Sequence, residues 1–214
     1  MRLAPIAIAL FAFGACRAPL PPPKRTPPVA PKVPEGNSID GSVMGPGDVP
    51  ITVACTPAGA ELCFDATDNN CNGLIDEGCG LQTGPVQFVI AWSDAADVDL
   101  DVTEPGGEVA KPGQRTKSGF VKEGDCGRPE STCHGQNHEN VYFDGDRAPP
   151  GEYKVEIALD KGEDTRAPVK VTFGARIGGK TFAKSLVLDP SDETKTCGSP
   201  GESRACQSYR VRIE

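Results

Sequence analysis

Residues 86–102, VQFVIAWSDAADVDLDV, decide the fold of this chain. In the first half of the stretch every second residue is apolar: Val86, Phe88, Ile90 and Trp92. After a turn around residues 93–96 the alternation resumes with Val98, Leu100 and Val102. A period of two is typical of a β-strand that buries one face, so the stretch predicts two strands that begin a β-sandwich.

The polar side of the second predicted strand carries three carboxylates: Asp97, Asp99 and Asp101. Carboxylates at alternate positions of a strand lie roughly 6.6 Å apart, so a cation between two neighbours would form a second, candidate cation site. A solvated outer face that discourages edge pairing explains the same residues without an ion. Both interpretations stay open at this point.

Strand-like segments follow as far as the C-terminus, at 140–143, 152–160, 168–177, 181–188 and 207–213. Glycine and proline separate them, and no helical period of 3.6 residues occurs outside the N-terminal segment. The sequence therefore predicts an all-β chain in which residues 81–214 form an antiparallel β-sandwich.

Three motifs in this part of the chain resemble the signature of the YfaP-type domain. They are Trp92 with residues 97–107, residues 139–141 and residues 148–155. The resemblance spans about residues 85–188 and implies a jelly-roll-like sandwich of secreted or periplasmic proteins, with no established catalytic activity. Cysteine-bearing insertions near 126–133 and 197–206 depart from the family pattern.

Charge and cysteine content restrict the function classes. The 214 residues include 22 Lys and Arg against 30 acids, a net charge of −8. This balance argues against nucleic acid as a partner, because phosphate binding needs clustered cations. The nine cysteines indicate an oxidising compartment outside the cytoplasm.

The N-terminus has the plan of a signal peptide over residues 1–15, with Arg2 before a short apolar run and small residues before Cys16. This arrangement resembles the bacterial lipobox, which implies cleavage before Cys16 and a lipid anchor on its sulfur. An ordinary secretory signal with a coincidental cysteine is the alternative. The expected location is the bacterial cell envelope, facing the periplasm or the cell surface.

Residues 16–50 are predicted to be a linker between the anchor and the folded part. Residues 17–34 are rich in proline, which favours an extended, disordered tether over a packed core. Its basic residues suit an anionic lipid or cell-wall surface. Residues 35–50 are predicted to continue as a loosely ordered, glycine-rich link.

Residues 51–80, which we call the knot, contain Cys55, Cys63, Cys71 and Cys79. Four cysteines allow three disulfide pairings. Within the knot, DNNCNGLIDEGC (68–79) follows the ligand spacing of an EF-hand loop until its last position, where Cys79 replaces the usual Glu. The template ligands are Asp68, Asn70, Asn72, the carbonyl of Leu74, and Asp76, with Glu77 or Asp65 as candidates for the missing carboxylate.

Oxygen ligands of this kind favour calcium over copper or zinc, which prefer imidazole and thiolate. Two asparagines in place of acids predict weak affinity, with a Kd of about 10⁻⁴–10⁻³ M. An Asn-Gly turn held by disulfides, with no ion, explains the same residues. Residues 61–79 also resemble the MopE-type metal-binding motif of bacterial surface proteins, which implies a metal site here.

The remaining cysteines lie in two predicted loops, where Cys126 can pair with Cys133 and Cys197 with Cys206. The two histidines, His134 and His138, follow the first pair, and a zinc site from these four neighbouring side chains is an alternative. An oxidising compartment favours the disulfide.

No nucleophile elbow, HExxH motif or phosphate-binding glycine loop is present, so the sequence predicts a protein that is not an enzyme. The expected function is a membrane-anchored lipoprotein that acts as a calcium-stabilised binding, adhesion or envelope-structural module. Its expected partners are the membrane, through the lipid anchor, and a cell-wall or surface glycan or protein. A copper-capturing envelope protein and a hydrolase with an unrecognised carboxylate site remain as alternatives.

Overall fold

The computed structural model describes residues 39–214, except 54, 56, 58, 94, 127–135, 161–167, 193–195 and 198–203. The predicted signal segment, Cys16 and the proline-rich tether lie outside the described residues. The described residues all belong to one compact unit.

The strands within the described residues are β1 (Gly41–Gly45), β2 (Val49–Ile51), β3 (Val86–Trp92), β4 (Val98–Thr103), β5 (Phe120–Lys122), β6 (His138–Phe143), β7 (Gly151–Leu159), β8 (Val169–Ile177), β9 (Lys180–Leu188), β10 (Thr196–Cys197) and β11 (Arg204–Ile213). They form two sheets with the orders β2-β1-β11-β7-β4 and β5-β6-β3-β8-β9, and β10 pairs with β11. Neighbouring strands are antiparallel throughout. The predicted all-β, antiparallel sandwich is confirmed.

The stretch that decides the fold contributes one strand to each sheet. Phe88 and Ile90 of β3 and Leu100 of β4 are fully buried in the cluster between the sheets. Tyr209 of β11 meets Phe173 of β8 across this interior, with ring centroids 4.6 Å apart. The alternation in the sequence therefore marks the faces that turn inward, because successive side chains of a strand point to opposite sides.

The structure differs from the prediction in residues 39–51, of which 39–50 are predicted to lie in the linker and residue 51 in the knot. β1 pairs with β11 and β2 pairs with β1, so both extend the first sheet beyond the predicted boundary at residue 81. Val43 is 1% exposed and Ile39 is 6% exposed, which places both in the core. Two short strands between glycines give too few alternating positions for a sequence pattern, and pairing with the long β11 decides their conformation.

An ion pair lies inside the sandwich beside the edge strand β4. Lys122 Nζ is 2.8 Å from Glu139 Oε2, and both side chains are almost fully buried. The same carboxylate oxygen accepts the backbone N–H of Leu100 at 2.6 Å. Glu139 thus ties β6 of one sheet to β4 of the other.

The knot covers the outer face of the second sheet. Ala66 and Ile75 of the knot form a small apolar cluster with Val89 and Ala91 of β3. A Cβ on Gly174 of β8 would overlap the carbonyl oxygen of Ala66, so the absence of a side chain there permits the close approach. The knot therefore packs directly on the sandwich.

Candidate cation site in the knot

Two disulfides of equal span staple the knot. Cys55 pairs with Cys71 and Cys63 pairs with Cys79, each across a sequence separation of 16. Of the three pairings that the sequence left open, this is the interleaved one, in which each bridge encloses one cysteine of the other. The loop that carries the candidate ligands is therefore held at several points.

Asp68, the first template ligand, is the centre of the loop. It is 3% exposed, and its Oδ1 accepts the Asn72 N–H at 3.1 Å. Its Oδ2 accepts the Gly73 N–H at 2.9 Å and the hydroxyl of Thr181 at 3.1 Å. Gly73 has a φ of 82°, a left-handed conformation that favours glycine and that the loop needs at this turn.

The side chains of Asn70 and Asn72 converge on one carboxylate oxygen. Their Nδ2 atoms donate to Glu77 Oε1 at 2.5 Å and 2.6 Å. Their Oδ1 atoms accept the backbone N–H groups of Asn72 and Leu74, the geometry of successive Asx turns. The structure therefore brings together four of the predicted ligands, Asp68, Asn70, Asn72 and Glu77, with Glu77 as the second acid.

Asp76 and Asp65 have a different place from the predicted one. Asp76 is fully buried, and its two oxygens accept the backbone N–H groups of Asp65 and Ala66 at 3.2 Å and 3.1 Å. Asp65 accepts the Thr67 N–H and the Asn69 amide. Both carboxylates hold turns of the knot, because an interior with so little apolar surface needs side chains to satisfy its backbone groups.

Glu61 is a residue of this site that the ligand template does not include. Its Oε1 accepts the Asp76 N–H at 3.0 Å and its Oε2 accepts the Asn69 N–H at 3.1 Å. Burial, followed by the negative charge of Glu77, raises the pKa of Glu61 to about 7. Glu61, Glu77 and Asp68 thus lie close enough to repel one another, and a bound cation would offset their repulsion. In the sequence, the one signal that could have identified Glu61 is its place as the first residue of the MopE-like segment.

This donor set suits a hard cation. It consists of carboxylate and amide groups, which are the oxygen donors that calcium prefers. Glu77 Oε2 is buried and has no hydrogen-bond partner, an expensive arrangement for a carboxylate unless something else neutralises it. Asp68, Asn70, Asn72 and Glu77 are the residues that would hold the ion. Because an amide nitrogen does not ligate calcium, the asparagines would contribute their oxygens.

The structure does not bring the carboxylates of Asp97, Asp99 and Asp101 together into one predicted cation site. Oxygens of Asp97 and Asp99 lie within 4.8 Å of one another and of Asp125, a residue outside the predicted set. Asp99 forms an ion pair with Arg204, whose Nη2 is also 3.6 Å from Asp101. The guanidinium occupies the position between neighbouring carboxylates where a cation was predicted.

The other cysteines within the described residues form disulfides. Cys197 pairs with Cys206, as predicted. Cys126 is disulfide-bonded, so it offers no thiolate to a zinc ion; Cys133 and His134 lie outside the described residues. The ring of His138 lies against that of Phe64 with centroids 4.7 Å apart, and burial lowers the pKa of His138.

A groove of about 620 Å³ runs between the knot and the uncovered part of the outer sheet face. Its lining includes Phe64 and Asp65 of the knot, Ser93 after β3, Thr172 of β8, and Ser185 and Val187 of β9. Val187 is 48% exposed. Lys170 of β8 also lines the groove, so one positive and one negative side chain lie beside hydroxyl groups and apolar surface.

Comparison with family models, curated proteins and solved structures found no match. The resemblances to the YfaP-type domain and the MopE-type motif therefore stay predictions. Within the part of the chain that the structure describes, no helix has the length and apolar character needed to cross a membrane.

Proposed function

We propose that this chain is a lipid-anchored protein of the bacterial cell envelope, a non-enzymatic binding or adhesion module stabilised by calcium in its knot. The observation that carries the proposal is the convergence of Asn70 and Asn72 on Glu77 beside the buried Asp68. Four polar side chains around a disulfide-stapled loop leave one carboxylate oxygen buried without a hydrogen bond. A divalent ion supplies the missing positive charge.

The partner in this proposal is a glycan or protein of the cell wall or cell surface. The groove beside the knot offers hydroxyl groups and apolar surface at one face of a rigid sandwich. The acidic net charge of −8 disfavours nucleic acid. Lipidation at Cys16 would hold the module at the membrane, so a weak affinity for each surface ligand suffices when many ligands are close by.

Calcium titration of the full, oxidised chain in mild detergent tests the metal part of the proposal. We expect a single site with a Kd of about 10⁻⁴–10⁻³ M. Glu77→Gln keeps the shape and the acceptor oxygen but removes the charge, and it should weaken binding by about tenfold or more. Glu108→Gln, on an exposed residue of the sandwich, is the matched control and should bind as the unaltered protein does.

Two results would contradict this proposal. If titration with calcium gives no heat of binding with either the unaltered protein or the Glu77 variant, the knot is a disulfide staple without an ion. If copper binds at micromolar concentration or below and calcium does not compete, the ion is cargo and the protein captures metal. Binding to purified cell-envelope glycan in calcium but not in EDTA would support the adhesive part, and no binding under either condition would refute it.

A further inference from the structure

Two side chains of the sandwich donate hydrogen bonds to the candidate ligand loop of the knot, residues 68–77. Thr181 of β9 donates its hydroxyl to Asp68 Oδ2 at 3.1 Å. Arg176 of β8 donates its Nε–H to the carbonyl of Gly73 at 2.6 Å. Both side chains point outward from the core of the sandwich, yet they are 4% and 5% exposed because the knot covers them.

Thr181 fixes the direction of the Asp68 carboxylate. Asp68 Oδ1 has the Asn72 N–H as a donor, and Oδ2 has the Gly73 N–H and the Thr181 hydroxyl. The two N–H groups belong to the loop and move with it, whereas Thr181 belongs to the sheet. Partners of this kind, behind a ligand, orient it and set its affinity for a metal.

Arg176 fixes the turn of the loop in the same way. Its guanidinium donates to the Gly73 carbonyl and, through Nη1, to the Gly84 carbonyl at the start of the sandwich. A Cβ on Gly73 would lie 3.1 Å from the carbonyl oxygen of Gly179, in the turn between β8 and β9. The loop and that turn therefore fit against each other closely enough that small displacements of one reach the other.

We infer that Thr181 and Arg176 are positioning residues of the cation site, so that the sandwich completes the site that the knot begins. The inference rests on the proposed calcium function and adds its regulation: calcium affinity depends on the sandwich, and calcium in turn stabilises the sandwich. The two effects are equal in size, because coupling between binding and folding is reciprocal.

The test is a calcium titration of the full, oxidised chain with Thr181→Val, a substitution of similar volume that removes the hydroxyl. We expect a Kd about tenfold weaker than that of the unaltered protein. Thr181→Ser restores the donor and should restore the affinity to within about twofold. Thr103→Val, on β4 in the other sheet, is the matched control and should leave the Kd unchanged. Rescue by serine separates an orienting hydrogen bond from general loss of packing.

Each outcome decides the inference. If Thr181→Val binds calcium as the unaltered protein does, Thr181 does not position the site and the inference is wrong, while the proposed calcium function stands. If the unaltered protein binds no calcium, both fail together. Should the valine variant not fold, Thr181→Ala, which removes the hydroxyl without a branched replacement, takes its place with the same expected loss.

Discussion

The sandwich and the knot are stabilised by different means. In the sandwich, large apolar side chains such as Phe88, Leu100 and Phe173 are fully or almost fully buried between two sheets. Among the described residues of the knot, the buried apolar side chains are Ala66, Leu74 and Ile75, and the buried polar ones are Asp68, Asn69 and Asp76. The knot is thus stabilised by disulfides and by hydrogen bonds from its backbone to its side chains, because it is too small for a hydrophobic core of its own.

The backbone shows the same contrast. Five of the described non-glycine residues have positive φ angles, and four of them, Phe64, Ala66, Cys71 and Asp76, lie in the knot. Such left-handed residues are unfavourable for L-amino acids and persist where the surroundings fix them. The knot therefore depends on its covalent and polar restraints, whereas the sandwich depends on burial, and each can be weakened separately.

The largest expected effect is on the sandwich. Phe173→Ala removes a ring that is 1% exposed and packs against Tyr209. The cavity should lower the free energy of unfolding by about 3–5 kcal/mol, measured by urea denaturation followed through tryptophan fluorescence. Val187→Ala, on a side chain that is 48% exposed, is the control. A loss below about 1 kcal/mol for Phe173→Ala would contradict the burial account.

The second effect is greatest in the knot. Replacing Cys63 and Cys79 by serine opens a bridge with a sequence separation of 16, which the loop-entropy model values at about 3 kcal/mol. We expect hydrogen exchange to accelerate most in residues 59–80 and less in β7 and β11, which lie in the other sheet. Equal acceleration in both regions would show that the knot and the far sheet unfold as one.

The third effect is at the contact between the two regions. Gly174→Ala places a methyl group against the carbonyl of Ala66, which is backbone and cannot turn away. We expect a loss of about 1–3 kcal/mol together with exposure of the apolar cluster beneath the knot, measured by urea denaturation and dye binding. Gly106→Ala, where a Cβ meets no atom within 4 Å, is the control. Equal stability of both variants would show that the knot does not dock on β8.

The smallest effect is a pH dependence of the sandwich. Burial raises the pKa of Glu139 to about 8, against the opposing charge of Lys122. The folded state then binds the proton of Glu139 more tightly than the unfolded state does. The contribution of Glu139 to the free energy of unfolding is therefore fully present below the ordinary glutamate pKa of about 4.5, and it is lost as the pH rises toward 8. Glu139→Gln should flatten the fall in the free energy of unfolding between pH 5 and pH 8, which one such group makes as steep as about 1.4 kcal/mol per pH unit. An unchanged slope in urea denaturation across that range would contradict the assignment.

The sequence predicts the sandwich better than the site because the two use different signals. Alternation over β3, β4, β7 and β11 is a local pattern with one physical cause, burial of one face. Contacts made by Arg176, Thr181 and Gly174 with the knot join residues about a hundred positions apart, and no local pattern marks them. Asp76 occupies a ligand position of the EF-hand template, yet both of its carboxylate oxygens accept backbone N–H groups of the turn at Asp65 and Ala66.

An ion bound in the knot should stabilise the sandwich. Trp92, the only tryptophan of the chain, lies in the sandwich core and reports its unfolding. Thermal unfolding of the oxidised chain should therefore be followed by tryptophan fluorescence, first in EDTA and then in millimolar calcium. At ten times the Kd the stabilisation is about 1.4 kcal/mol, which should raise the transition by about 3–6 °C. A transition that stays in place while calorimetry records bound calcium would contradict the claim.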